Sequence, residues 1–223
     1  MINIAIDGPS GAGKSTLAKA LADKLGYIHT DTGALYRTVA LAVQRAGISP
    51  DDRTAVTSLL PKIKISLAYE ADGQKIYLMD EEVSGLIRTN EISSYASKVS
   101  AIPEVREFLL DVQREIARKN NVIMDGRDIG TVILPHAEVK FFITVSDEER
   151  ARRRHRELTS RGESISLEEV RRTMSERDRN DSTRKIAPAI PAEDAVFLDN
   201  TGDFDETVSK ALSVIRSKTG EHE

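Results

Sequence analysis

The sequence predicts an α/β fold in which five parallel strands are covered by helices and a small antiparallel β element is inserted. Three observations carry this. Short apolar runs without polar alternation recur at residues 2–7, 122–124, 139–145 and 195–198, as strands buried on both faces require. Helical periodicity lies between and after them. One stretch, about 61–95, breaks the rhythm with a hairpin-like pattern.

In chain order, INIAID at residues 2–7 is the first strand, and a glycine-rich loop follows at once. Leu17, Leu21 and Leu25 then recur at the spacing of one helix face, and Gly26 is placed to end that helix. Tyr27–Thr30 reads as the second strand. In the breaking stretch, Ile63, Ile65, Leu67 and Tyr69 alternate with polar residues. Asp72-Gly73 follows, and Lys75–Met79 is a second β-like run. Val105, Leu109, Val112 and Ile116 share a helix face before the Val122–Met124 strand. Val208, Leu212 and Ile215 do so after the Ala195–Leu198 strand.

The chain has 223 residues and 39% hydrophobic composition, enough for one domain with an insertion. A net charge of -4 argues against a globally basic nucleic-acid binder. There is no cysteine, so disulfides and thiolate metal sites are excluded. No apolar run approaches the roughly 18–20 residues that span a bilayer, and MINIAIDG lacks a basic leader. A soluble cytoplasmic protein is expected, acting as a monomer with no nucleic-acid or membrane partner.

Gly8-Pro9-Ser10-Gly11-Ala12-Gly13-Lys14-Ser15 fits G-x-x-x-x-G-K-[ST] at every fixed position, between a strand and a helix. The glycines let successive N–H groups turn toward phosphate oxygens, and the helix start adds its positive dipole end. Lys14 reaches the β- and γ-phosphates, and the Ser15 hydroxyl is the expected Mg²⁺ ligand. With Thr16, these residues form the expected ATP site. The fold class is therefore a three-layer α/β fold with a five-stranded parallel sheet, a P-loop and an inserted antiparallel element.

Eleven arginines lie between residues 150 and 184. Arg150, Arg152, Arg153, Arg154 and Arg156 could form a solvated helix face with Asp147, Glu148, Glu149 and Glu157. Beside a P-loop, a lid closing over phosphates is the favoured reading, because Arg binds phosphate in bidentate fashion and closure excludes water as a competing acceptor. Asp125-Gly126-Arg127-Asp128 follows a strand directly, where open parallel sheets bind ligands. A second charged cluster runs from Glu176 to Asp181, with Arg184 beyond. These arginines suit a phosphate acceptor. A nucleoside monophosphate is already mostly dianionic at neutral pH, so no general base is required. His29, His136, His155 and His222 are scattered and take no role.

The segments IDGPSGAGKST, DTGALYR at 31–37, VSGLIRT at 83–89, DGRDIGT at 125–131 and RNDSTRKIAP at 179–188 together resemble bacterial cytidylate kinases over nearly the whole chain. The resemblance implies transfer of the γ-phosphoryl of ATP to CMP or dCMP. Carried onto matching positions, it implies that Arg37, Arg127 and Arg184 hold the acceptor phosphate. Ser97, Arg106 and Asp128 would read cytosine, and Arg177 and Asp181 would touch the sugar. Thr32 stands where relatives often have Ser, with the hydroxyl kept. Lys14, Arg127, Arg153 and Arg184 are the expected catalytic groups, and UMP is expected to be a poor substrate. The implied organisation is one domain: a core (1–31, 100–146, 165–223), a monophosphate-binding region with the insertion (32–99) and a lid (147–164). The alternatives are another small P-loop kinase, acting on a different monophosphate or a small metabolite, and an ATP-dependent nucleic-acid-binding protein using the arginine-rich segment.

Overall fold

Side chains of a strand alternate between two faces, and this decides what β1 (Asn3–Asp7) does. Ile4 and Ile6 point to one side and are fully buried, while Asp7 falls on the other. The computed structural model describes residues 1–70, 73–160 and 162–220. The chain divides into two compact units, Met1–Tyr27 with Asn121–Glu223, and Ile28–Asn120.

In the first unit, β1 lies between β6 (Val122–Asp125) and β7 (Val139–Thr144), parallel to both, and β8 (Val196–Asp199) continues beyond β7. The register sets Ile4 opposite Ile123 and Ile6 opposite Phe141. Against that face pack α1 (Lys14–Leu25), through Leu17, Ala18 and Leu21, and α8 (Phe204–Thr219), through Val208, Ala211 and Ile215. Gly26 ends α1 in the left-handed conformation, as its position in the sequence predicts. The sheet counts the five strands expected; β2 spans Ile28–Asp31. The expected second strand is displaced by one residue, because Asp31 closes β2 and also caps α2 (Thr32–Arg45), accepting from the Ala34 amide at 3.1 Å.

The second unit buries its own core. α2 contributes Leu35, Val39 and Val43, and α3 (Arg53–Leu59) contributes Val56. α4 (Asn90–Val99) adds Ile92 and Ala96, and α5 (Pro103–Lys119) adds Val105 and Leu109. The insertion is antiparallel, as expected. β3 (Ile65–Glu70) pairs with β4 (Gly73–Leu78) from Ile65 opposite Leu78 to Glu70 opposite Gly73. A short third strand, β5 (Glu81–Glu82), follows. Of the expected Asp72-Gly73 turn, Asp72 lies outside the described residues. The hairpin is tied to β2 by a Thr30–Tyr69 hydroxyl bond of 2.8 Å and by the Asp31 amide donating to Gln74 at 2.8 Å.

Two helices complete the first unit, α6 (Asp147–Ser160) and α7 (Leu167–Thr183). They share a small core of Ala151, Leu158, Val170 and Met174. The main core predicts a contrast between two phenylalanines on neighbouring strands. Phe141 is 1% exposed and Phe197 59% exposed. Phe141→Ala should lower the unfolding free energy by about 3–5 kcal/mol in urea titrations. Phe197→Ala should cost less than about 1 kcal/mol.

Candidate active site

The glycine-rich loop leaves the end of β1 and folds back into α1. Two of its glycines have no substitute. Gly8 has φ 146, and a Cβ there would lie 2.6 Å from the Ile143 carbonyl oxygen. Gly13 has φ 84, and a Cβ there would lie 2.5 Å from Asn200 Nδ2. Lys14 is buried, and its ammonium donates to the Pro9 carbonyl at 2.7 Å. Burial pulls the Lys14 ammonium down to about 7. Arg127 and Arg177 press the same way, while Asp125 and Asp7 oppose them. The Ser15 hydroxyl donates to Asp125 Oδ2 at 2.6 Å, while Ser15 and Thr16 themselves are exposed at the start of α1. A hydroxyl beside a carboxylate is a hard oxygen pair, of the kind Mg²⁺ accepts together with phosphate and water.

Beyond Asp125 the chain runs through Gly126, Arg127 and Asp128 into a π-helical turn, Ile129–Ile133. α7 returns to meet this segment. Arg127 Nε donates to Asp181 Oδ2 at 3.1 Å, and Arg184 Nη2 donates to Asp128 Oδ1 at 3.2 Å. Arg184 Nη1 also lies 3.9 Å from Asp181 Oδ1. The side chains of Asp128, Asp181 and Arg184 are at most 10% exposed. Two predicted phosphate ligands are thus interleaved with a predicted base reader and a predicted sugar contact. Arg177 lies one turn before Asp181 on α7, close enough to Lys14 to act on its charge.

The arginines of α6 divide into two groups. Arg152, Arg154 and Arg156 pair with Glu148, Glu157 and Glu149, the solvated-face arrangement. Arg150 and Arg153 turn toward the phosphate loop. Arg150 Nη1 donates to the Ser10 carbonyl at 2.8 Å and to Asp178 Oδ2 at 2.5 Å, and its Nη2 bonds Asp147. The Ser10 amide donates to Asp178 Oδ1 at 3.3 Å. Arg153 Nη2 donates to the Asn200 carbonyl at 2.8 Å, and its Nη1 lies 3.7 Å from the point a Gly13 Cβ would occupy. Arg161 and His222 lie outside the described residues. A cavity of about 440 Å³ adjoins the loop, lined among others by Pro9, Arg127, Phe142, Arg150, Asp178 and Asp181.

The second unit holds the other predicted residues. Arg37 Nη2 donates to Asp31 Oδ2 at 2.7 Å. Burial pushes the Asp31 carboxyl up, but Arg37, with His29 and Arg88, outweighs it and holds the group below its ordinary value. Thr32 is buried at the first position of α2, and Ser97 is half-buried on α4. Arg106 is buried on α5, donates to the Ser100 carbonyl at 3.2 Å, and has its guanidinium 5.5 Å from the Tyr36 ring centroid.

Sequence reasoning missed three residues. In the sequence Asp178 is distinguishable only as part of a charged cluster. Asn200 donates to the Ala12 carbonyl at 2.9 Å and so braces the loop; its position just past a strand end was the available signal. Asp7 is 3% exposed and accepts from the Ile129 and Gly130 amides at 2.8 Å each. Its signal was a carboxylate closing an otherwise apolar strand.

A family model described as "Cytidylate kinase" matches residues 4–217. The chain belongs to the cytidylate kinase family. It is 50% identical over 218 residues to the cytidylate kinase of Carboxydothermus hydrogenoformans, covering 97% of this chain and 98% of that one. It is 47% identical to that of Geobacter sulfurreducens, covering 96% and 93%. Among solved structures, a gluconokinase from Sinorhizobium meliloti aligns with a TM-score of 0.50 at 15% identity, covering 98% of this chain and 94% of that one. An uncharacterized protein from Eubacterium ventriosum aligns with a TM-score of 0.53 at 13% identity, covering 97% and 98%. These two share the fold.

The setting of Asp7 predicts a pH effect that sets this kinase apart from its own Asn variant. Burial pushes the Asp7 carboxyl up to about 6, against the pull of its two amide bonds. A carboxyl whose folded value is raised favours the folded state while both states are protonated, and that contribution is lost as pH climbs. Urea unfolding of wild type and Asp7→Asn should therefore diverge between pH 4 and 6.5. Wild type should lose about 3 kcal/mol at most relative to the variant over that range.

Proposed function

We propose that this chain transfers the γ-phosphoryl group of ATP to CMP or dCMP, giving ADP and the diphosphate. The observation that carries the reading is the meeting of Arg127, Asp128, Asp181 and Arg184 beside a phosphate loop, in a chain of the cytidylate kinase family. An oxygen of the monophosphate forms the new bond to the γ-phosphorus, the β–γ bridging bond breaks, and ADP leaves with that bridging oxygen. The acceptor is already dianionic, so the protein supplies position and charge rather than a base.

In this reading Gly8 to Thr16 hold the triphosphate, with Lys14 on its β- and γ-oxygens. Lys14, Arg127, Arg153 and Arg184 neutralise charge on the transferring group. Ser15 is the proposed Mg²⁺ ligand, with Asp125 bonded to its hydroxyl. The ion, brought with the nucleotide, would neutralise the phosphates as charge develops. Asp128 is proposed to accept from the exocyclic amine of cytosine, and Arg177 and Asp181 to bond the sugar. The second unit is proposed to contribute Thr32, Arg37, Ser97 and Arg106 to acceptor binding. Residues 147–164 are proposed as the lid, within the organisation of core, monophosphate-binding region and lid that the resemblance implies. We further propose that the enzyme acts as a cytoplasmic monomer in pyrimidine metabolism, on soluble nucleotides.

UMP turns a carbonyl toward Asp128 where CMP turns an amine, which leaves a buried polar group unpaired at about 1–3 kcal/mol. Mixed with Mg-ATP and each of CMP, dCMP, UMP, AMP, GMP and dTMP, the protein should form ADP fastest with CMP or dCMP. No acceleration by either would reject the reading. AMP as the one effective acceptor would favour another small kinase, and stimulation only by DNA or RNA would favour a nucleic-acid-dependent ATPase. Lys14→Ala should lower kcat by roughly 10²-fold or more. Asp128→Ala should instead narrow the preference for CMP over UMP.

A further inference from the structure

We propose that Asp7 is a positioning residue for substrate discrimination: its carboxylate clamps the turn that carries Arg127 and Asp128. The proposal rests on the reading of Asp128 as the group that recognises cytosine.

The argument begins with what Asp7 does not do. Triphosphate binding has no use for a negative charge here. Asp7 sits near enough to Lys14 to act on its charge, and a carboxylate in that position opposes an incoming polyanion. It is also buried, which is unfavourable for a carboxylate unless its oxygens are bonded. Both oxygens are bonded, by two successive backbone amides. Oδ1 accepts from Ile129 and Oδ2 from Gly130, each at 2.8 Å.

Those two amides open the π-helical turn, and the preceding end of the same segment is also fixed to β1. The Gly126 amide donates to the Ile6 carbonyl at 3.0 Å. Residues 126 to 130 are therefore pinned at both ends to neighbouring residues of one buried strand, Ile6 through its backbone and Asp7 through its side chain. Arg127 and Asp128 lie between the pins. Asp128 takes φ -144 and ψ 29, outside helical geometry, so its direction depends on where the turn begins. The turn has little room to move elsewhere. A Cβ on Gly130 would lie 3.1 Å from Lys140 Cδ and 3.4 Å from Asp7 Oδ2. Releasing the second pin lets Asp128 and Arg127 move relative to β1, and with them the base and phosphate contacts proposed above.

The test is the ratio of kcat/KM for CMP to that for UMP, in wild type, Asp7→Asn, Asp7→Ala and Asp128→Ala. Asparagine keeps one acceptor and turns an amine toward the other amide, while alanine removes both. The ratio should fall by about 3-fold or more in Asp7→Asn and about 10-fold or more in Asp7→Ala, as expected from one and two lost bonds. Each ratio is taken on one sample, so a smaller folded fraction lowers both terms equally and leaves it unchanged. A purely structural role would therefore lower both activities together. An unmoved ratio in both Asp7 variants, with a lowered ratio in Asp128→Ala, overturns the proposal. An unmoved ratio in Asp128→Ala overturns the underlying reading of the base contact instead.

Discussion

A buried ammonium is the constraint around which the first unit is arranged. Lys14 is 6% exposed, and a carbonyl oxygen, not a carboxylate, takes its proton donor. Burial is the main force pulling the ammonium down to about 7; Arg127 and Arg177 add to it, and Asp125 and Asp7 oppose it. Such a group is stabilised most by a polyanion arriving beside it. At Gly8 and Gly13 the turn takes backbone angles open to glycine, with no room for a Cβ. Asn200 and Arg150 donate to the Ala12 and Ser10 carbonyls, and so brace the loop from two sides.

The arginines follow a second pattern: four of them are held by aspartates, while Arg153 is held by Glu149. Arg127 is held by Asp181, Arg184 by Asp128, Arg37 by Asp31, and Arg150 by Asp178. A guanidinium held in this way is oriented before substrate arrives, and less rotamer entropy remains to be lost on binding. The partners are not equivalent in use. Asp178 and Asp31 join an arginine to backbone amides at Ser10 and Ala34, a structural linkage. Asp128 and Asp181 pair with Arg184 and Arg127, so the carboxylates that orient these arginines are the same ones proposed to meet the nucleoside.

The sheet was legible because buried parallel strands leave uninterrupted apolar runs, and each run became a strand to within a residue or two. The phosphate loop was legible because its glycines are dictated by backbone geometry. The helices of the second unit were harder to see. α2 and α4 carry the helical spacing, in Leu35, Val39 and Val43 and in Ile92, Ala96 and Val99, but what those faces pack against lies remote in sequence. Within the site, Asp125 could be suspected from its strand-end position, but its bond to Ser15 depends on residues 110 positions apart. Asp7 and Asn200 were missed for the same reason, since their partners are backbone atoms far along the chain. The arginine cluster was only half legible. Helical spacing explains Arg152, Arg154 and Arg156, whereas the inward turn of Arg150 and Arg153 depends on where α6 packs.

The central claim is that the two groups of charges serve one transfer, from a triphosphate to a cytidine monophosphate, and not hydrolysis. Phosphorus-31 NMR of the protein with Mg-ATP and CMP follows every phosphorus at once. The account predicts that the γ-resonance of ATP declines while the resonances of CDP and ADP rise in equal amounts, with no inorganic phosphate. Inorganic phosphate appearing in place of CDP, or a spectrum unchanged by CMP, would contradict it.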